Sequence, residues 1–175
     1  MKKILVGIII LMLIVTILIN DNSKLIINEG ISLRVIANSN SVYDQQMKLK
    51  VKEKVQSDIY SILNNTNNIN EARNIISANL QYLNNNLKKY LSDQKYNINY
   101  TFDFGQYYYS GKEYKGIKYN EGYYESVLIK LGKGEGNNWW CILFPPLCLL
   151  EAEESSEVEY KFFVQELINR YLIKH

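Results

Sequence analysis

The chain has 175 residues and a net charge of +2, and Lys2 and Lys3 account for that excess because no acidic residue precedes Asp21. A charge-balanced body has no field with which to attract nucleic acid. The single histidine, at position 175, removes the usual base of serine or cysteine catalysis, and two cysteines without neighbouring histidines exclude a clustered zinc site.

Ile4 to Ile19 is an apolar run broken only by Gly7 and Thr16, preceded by the lysine pair and ended by Asn20-Asp21-Asn22. As a helix it would reach about 24 Å at ~1.5 Å per residue, somewhat less than the ~30 Å hydrocarbon core of a bilayer. Two readings stand: the apolar part of a signal peptide, or an uncleaved membrane anchor. Ile17, Leu18 and Ile19 are bulky where cleavage needs small residues, which favours the anchor. In both readings the lysines stay in the cytoplasm and the remainder is carried across. The expected organisation is a signal or anchor over 1–20, a linker over 21–30, and one extracytoplasmic domain over 31–175, long enough to bury its own core.

Ile31 to Ala37 forms the first expected strand, with apolar residues on both faces. Asn38-Ser39-Asn40-Ser41 is a turn, and Ser41 with Asp44 makes a partial capping box for a helix over Val42–Leu63. Met47, Val51, Val55, Ile59 and Ile62 give that helix its core stripe, while Val42, Leu49 and Tyr60 form a minor apolar line nearly opposite. That line is either covered by another element or faces a partner. Asn68 and Glu71 cap a second helix, whose stripe runs through Ile69, Ala72, Ile76, Leu80, Leu83, Leu87 and Leu91.

Tyr96 to Phe104 alternates aromatic or aliphatic with polar residues and predicts a strand with one wet face. Gly105–Gly122, with Tyr107-Tyr108-Tyr109, predicts a long tyrosine-rich excursion, followed by a strand over Tyr123–Leu131. Gly132-Lys133-Gly134-Glu135-Gly136-Asn137-Asn138 is expected to be a mobile connection; a phosphate cradle would need a helix after it, and a strand over Trp139–Phe144 comes instead. Glu151, Glu153, Glu154 and Glu157 are expected to form a solvated acidic loop before a last helix capped by Ser156. The order β-α-α-β-β-β-α predicts an α+β fold: a mainly antiparallel sheet with helices packed on one face, preceded by the N-terminal membrane or signal helix.

Cys141 and Cys148 bracket Ile142-Leu143-Phe144-Pro145-Pro146-Leu147. Outside the cytoplasm an even cysteine count points to a disulfide; in a reducing compartment the same pair would be free core thiols. A bridge there, stiffened by the diprolyl unit, would present Trp139, Trp140, Phe144, Pro145, Pro146 and Leu147 as a rigid apolar protrusion for a partner, with one tryptophan buried and one accessible. No cofactor, metal or small-molecule substrate is called for, and the chain is not expected to be an enzyme. The alternative is a cell-wall-binding or cell-wall-hydrolysing protein that would depend on a carboxylate such as Glu121 or Glu125.

Two strings resemble stage II sporulation protein R. One is Ile36-Ala37-Asn38-Ser39-Asn40-Ser41 followed by Asp44-Gln45 and Lys48-Leu49-Lys50-Val51; the other is Gly134-x-Gly136-Asn137-Asn138-Trp139-Trp140-Cys141-Ile142-Leu143-Phe144-Pro145-Pro146-Leu147-Cys148. Asn40 stands where the family pattern leads one to expect aspartate. The resemblance marks Ala37, Asn38, Ser39, Asp44, Gln45, Lys48 and Lys50 as family motif residues. It implies a protein made in the forespore of an endospore-forming bacterium and exported to the space between forespore and mother cell. There it would trigger a membrane-embedded aspartic protease of the mother cell, which removes the pro-sequence of sigma-E. The partners it implies are that protease and, through residues 4–19, the membrane.

Overall fold

The computed structural model describes residues 26–27, 30–114, 117–148 and 166–167. The apolar run over 4–19, the Glu151–Glu157 segment and all but Glu166–Leu167 of the expected closing helix lie outside the described residues. No helix among the described residues is long and apolar enough to cross a membrane.

The alternating apolar pattern of Ile31–Ile36 forms β2, which lies inside a four-stranded sheet in the order β3-β6-β2-β7. The other strands are β3 (Tyr100–Tyr109), β6 (Gly122–Leu131) and β7 (Asn138–Phe144). β2 pairs parallel with β6 and antiparallel with β7, and β3 pairs antiparallel with β6, so two of the three pairings are antiparallel. A second sheet, in the order β1-β5-β4, joins β1 (Ile26–Ile27), β5 (Ile117–Tyr119) and β4 (Lys112–Tyr114). The segment expected to be a linker therefore contributes a short strand, parallel to β5.

Three helices supply the apolar layer that covers the larger sheet: α1 (Val42–Ile62), α2 (Ile69–Ala78) and α3 (Leu80–Asp93). The caps form as expected, with Ser41 Oγ accepting from the Asp44 amide at 3.1 Å and Asn68 Oδ1 from the Glu71 amide at 2.8 Å. The expected second helix is two. Asn79 breaks it, its side-chain amide donating to the Ile75 carbonyl at 2.8 Å. The apolar stripe survives the break, and Ala72, Ile76, Leu83, Leu87 and Leu91 all reach the core. There they meet Met47, Val51, Val55 and Ile59 of α1 and Leu33, Val35, Val127, Ile129 and Leu131 of the sheet. Of the minor line on α1, Tyr60 packs against this core, while Val42 and Leu49 are exposed.

β3 starts and ends later than the alternation predicts. α3 stops in a Schellman motif: Lys95 takes φ +55°, its amide donates to the Ser92 carbonyl, and the Tyr96 amide donates to the Leu91 carbonyl, each at 2.9 Å. This turn draws Tyr96 into the interior and delays the strand to Tyr100. At the other end Gly105 does not stop β3, because it pairs in register with Ser126. Tyr107, Tyr108 and Tyr109 pair with Tyr124, Tyr123 and Gly122, so they belong to the strand and not to an excursion.

Candidate functional site

The turn after β2 carries the first family-like string, and its side chains converge on one carboxylate. Asp44 Oδ2 accepts from Ser39 Oγ at 2.6 Å and from Asn38 Nδ2 at 2.9 Å, and Asp44 Oδ1 accepts from the Tyr96 hydroxyl at 2.7 Å. Only 7% of Asp44 is exposed. The Ser39 bond, followed by that of Tyr96, holds its pKa below the ordinary carboxylate value against the opposing effect of burial. Burial first, and then the bond to Asp44, pushes the Tyr96 phenol up. Lys48 is buried beside this cluster, which lowers its pKa; its Nζ donates to Gln45 Oε1 at 2.6 Å and to the Asn137 carbonyl at 3.2 Å. Lys50, from the same string, stands apart: it is exposed and reaches Gln94 at 3.4 Å.

The glycine-rich loop between β6 and β7 is fixed on this turn, which corrects the expectation of a mobile connection. Glu135 N donates to the Asn38 carbonyl, Gly136 N to the Ala37 carbonyl, Lys133 N to Asn38 Oδ1 and Asn137 N to Asn40 Oδ1, at 2.7 to 3.2 Å. Gly132 N and Gly134 N donate to the Asn99 and Leu131 carbonyls. Every amide from 132 to 137 is thus engaged within the protein, which leaves none to cradle a phosphate. Gly132 and Gly134 lie at φ +56° and +65°, where side chains are strained, and a Cβ on Gly136 would strike the Ser39 carbonyl and come within 2.9 Å of Ala37 Cβ. Asn40 acts here as an acceptor, from the Asn137 amide and from Gln45 Nε2, a role that aspartate could also fill.

The cysteines are joined, Cys141 to Cys148, with Cα atoms 5.4 Å apart. The segment between them is not a protrusion. Phe144 is 3% exposed and Leu147 1%, Pro145 is buried, and Pro146 is half-buried. The bridge returns the chain to the strand it has just left, and Cys141, Phe144 and Cys148 join the core cluster. Removing large apolar side chains from water is worth about 1.5–3 kcal/mol each, which outweighs displaying them. Of the aromatic pair, Trp139 packs half-buried against the core with Lys52 Nζ 5.0 Å from its ring centre. Trp140 lies on the opposite face and is the more buried, at 9% exposure. The tryptophans do point to opposite faces, but neither stands free.

Trp140 belongs to an aromatic cluster that sequence reasoning missed. Its ring centre lies 5.0 Å from Tyr119, 5.9 Å from Tyr109 and 6.4 Å from Tyr124. Arg34, on the same face of β2, sits 5.0 Å over the Tyr109 ring. With the Asn138 amide oriented so that its oxygen faces the guanidinium, that oxygen accepts from Arg34 Nε at 2.8 Å and Nη2 at 3.0 Å. A signal for Arg34 was present: it is the one charged residue in the otherwise apolar or small strand Ile31–Ile36. Glu125, a carboxylate considered for hydrolysis, is clamped by Arg73, whose Nε donates to it at 2.8 Å. Glu121 is exposed and accepts from the Tyr108 hydroxyl at 3.3 Å.

A family model described as Stage II sporulation protein R matches residues 27–154, which include both strings and the whole larger sheet. The chain belongs to this family. It is 35% identical over 141 residues to stage II sporulation protein R of Bacillus subtilis (strain 168), covering 80% of this chain. The chain spans 63% of the length of that relative. No solved structure matches it. Membership supports a role in sporulation for this chain. Within the family match, the turn over Ala37–Asp44 and the loop over Gly132–Asn137 act as one hydrogen-bonded unit, although 88 residues or more separate them in sequence.

Proposed function

We propose that this protein is an extracytoplasmic signal of endospore formation. Carried out of the forespore by its N-terminal apolar segment, it binds a membrane-embedded aspartic protease of the mother cell and switches on its processing of pro-sigma-E. The observation that carries this reading is the family match over residues 27–154. The physics of the motif residues agrees with it. Asn38, Ser39, Asp44, Gln45 and Lys48 bond to one another and to the 132–137 loop, and the bridge of Cys141 to Cys148 closes the next segment. Such residues rigidify a shape, and a preorganised surface loses less entropy on binding than a mobile one.

The test is reconstitution in a host that does not sporulate. The protease, pro-sigma-E and this chain are co-expressed, and conversion of pro-sigma-E is followed by immunoblot. Conversion should need the chain, and should be lost when residues 2–20 are deleted so that the chain stays in the cytoplasm. Conversion that proceeds equally without the chain sinks the proposal.

A further inference from the structure

The face of the larger sheet that carries Trp140 holds a cavity of about 380 Å³, within the ~300–1,000 Å³ range of ligand clefts. Arg34, Tyr109, Tyr124, Asn138 and Trp140 line it, with Tyr108 at its side. Its walls are prearranged. The Tyr109 hydroxyl is tied to Ser126 Oγ at 2.9 Å and that of Tyr124 to the Asn120 carbonyl at 2.7 Å. Tyr109 and Tyr124 meet edge to face, their centres 5.8 Å apart.

Asn138 takes two of the five N–H donors of the Arg34 guanidinium, and among the described residues no carboxylate pairs with it. A half-buried guanidinium in a cavity is a fork for a carboxylate, which it can hold through two parallel bonds. The rings beside it suit an apolar or aromatic side chain.

We infer that this cavity is a recognition site for a carboxylate-bearing, apolar peptide segment of the protein's partner. The acidic group pairs with Arg34, and the neighbouring apolar side chain lies against Trp140, Tyr109 and Tyr124. This rests on the reading that the chain acts by binding a protein.

The test uses the full chain in detergent micelles, labelled with 5-fluorotryptophan. Its two tryptophan signals are assigned with Trp139→Phe. The probes are the capped dipeptides acetyl-Phe-Glu-amide and acetyl-Phe-Gln-amide. The glutamate peptide should move the Trp140 signal saturably and leave Trp139 in place. The glutamine peptide should bind about tenfold more weakly, the loss of one charge-assisted pair. Arg34→Gln should erase the preference between them. Equal binding of the two peptides, an unmoved Trp140 signal, or a shift produced only by a muramic-acid glycan fragment would overturn the assignment. In the reconstituted processing assay, Arg34→Gln should slow conversion. Conversion at the unaltered rate would overturn this site while leaving the partner-binding proposal in place, whereas a native chain that triggers no conversion would overturn that proposal whatever the peptides do.

Discussion

Replacing Asp44 tests whether the turn after β2 is held by its buried carboxylate. Asp44→Ala removes the acceptor for Ser39 Oγ, Asn38 Nδ2 and the Tyr96 hydroxyl at once. An unsatisfied buried donor costs about 1–3 kcal/mol, and the three share one site that water can partly refill, so a total loss of roughly 3–5 kcal/mol follows. Asp44→Asn keeps one oxygen for Ser39 and Asn38, and its new N–H₂ can donate to the Tyr96 oxygen. It loses the charge and the acceptor of the buried Tyr96 O–H, and should cost about 1–3 kcal/mol, less than the alanine variant. Urea unfolding of the full chain in mild detergent, followed by tryptophan fluorescence at pH 7, measures both. The acid limb provides a second readout. The folded pKa of Asp44 lies below its ordinary value of 3.8, so its contribution is complete above that value and disappears as pH falls through the lowered one. The native chain should therefore lose stability below about pH 4 by more than Asp44→Asn does. An alanine variant within about 1 kcal/mol of the native chain, or equal acid limbs for the native and asparagine chains, would refute the reasoning.

The other predictions use the same equilibrium. Gly136→Ala drives a methyl into the Ser39 carbonyl, and should cost about 2–4 kcal/mol and speed hydrogen exchange at the Glu135 and Gly136 amides. Cys148→Ser opens a loop whose ends are seven residues apart and should cost about 2–3 kcal/mol; the intact mass of native protein, unreduced, should lack both thiol hydrogens. Leu83→Ala, at a fully packed position of α3, should cost about 2–5 kcal/mol in the same titration without altering the peptide preference of the Arg34 cavity.

Periodicity and capping made much of the architecture legible in advance. The core stripe of α1, the caps at Ser41 and Asn68, and the strands at Ile31 and Tyr123 depend on residues that are neighbours in the chain, and local physics suffices to place them. The break at Asn79 and the late start of β3 were missed because each turns on a competing local bond, from the Asn79 side chain in one case and the Tyr96 amide in the other.

The amino-acid sequence by itself determined the fold class and the family, because motif strings, periodicity and residue counts are properties of the chain; that Cys141 and Cys148 are joined came from the structure. Tertiary structure alone decided what the motif residues do. The partners of Asp44 include Tyr96, 52 residues away, and those of Asn38 include Lys133, 95 residues away. It also decided that Phe144 and Leu147 turn inward and that Arg34 faces an aromatic cavity. Burial and the pairing of charges arise from what the folded chain places beside a residue, and no local pattern encodes that.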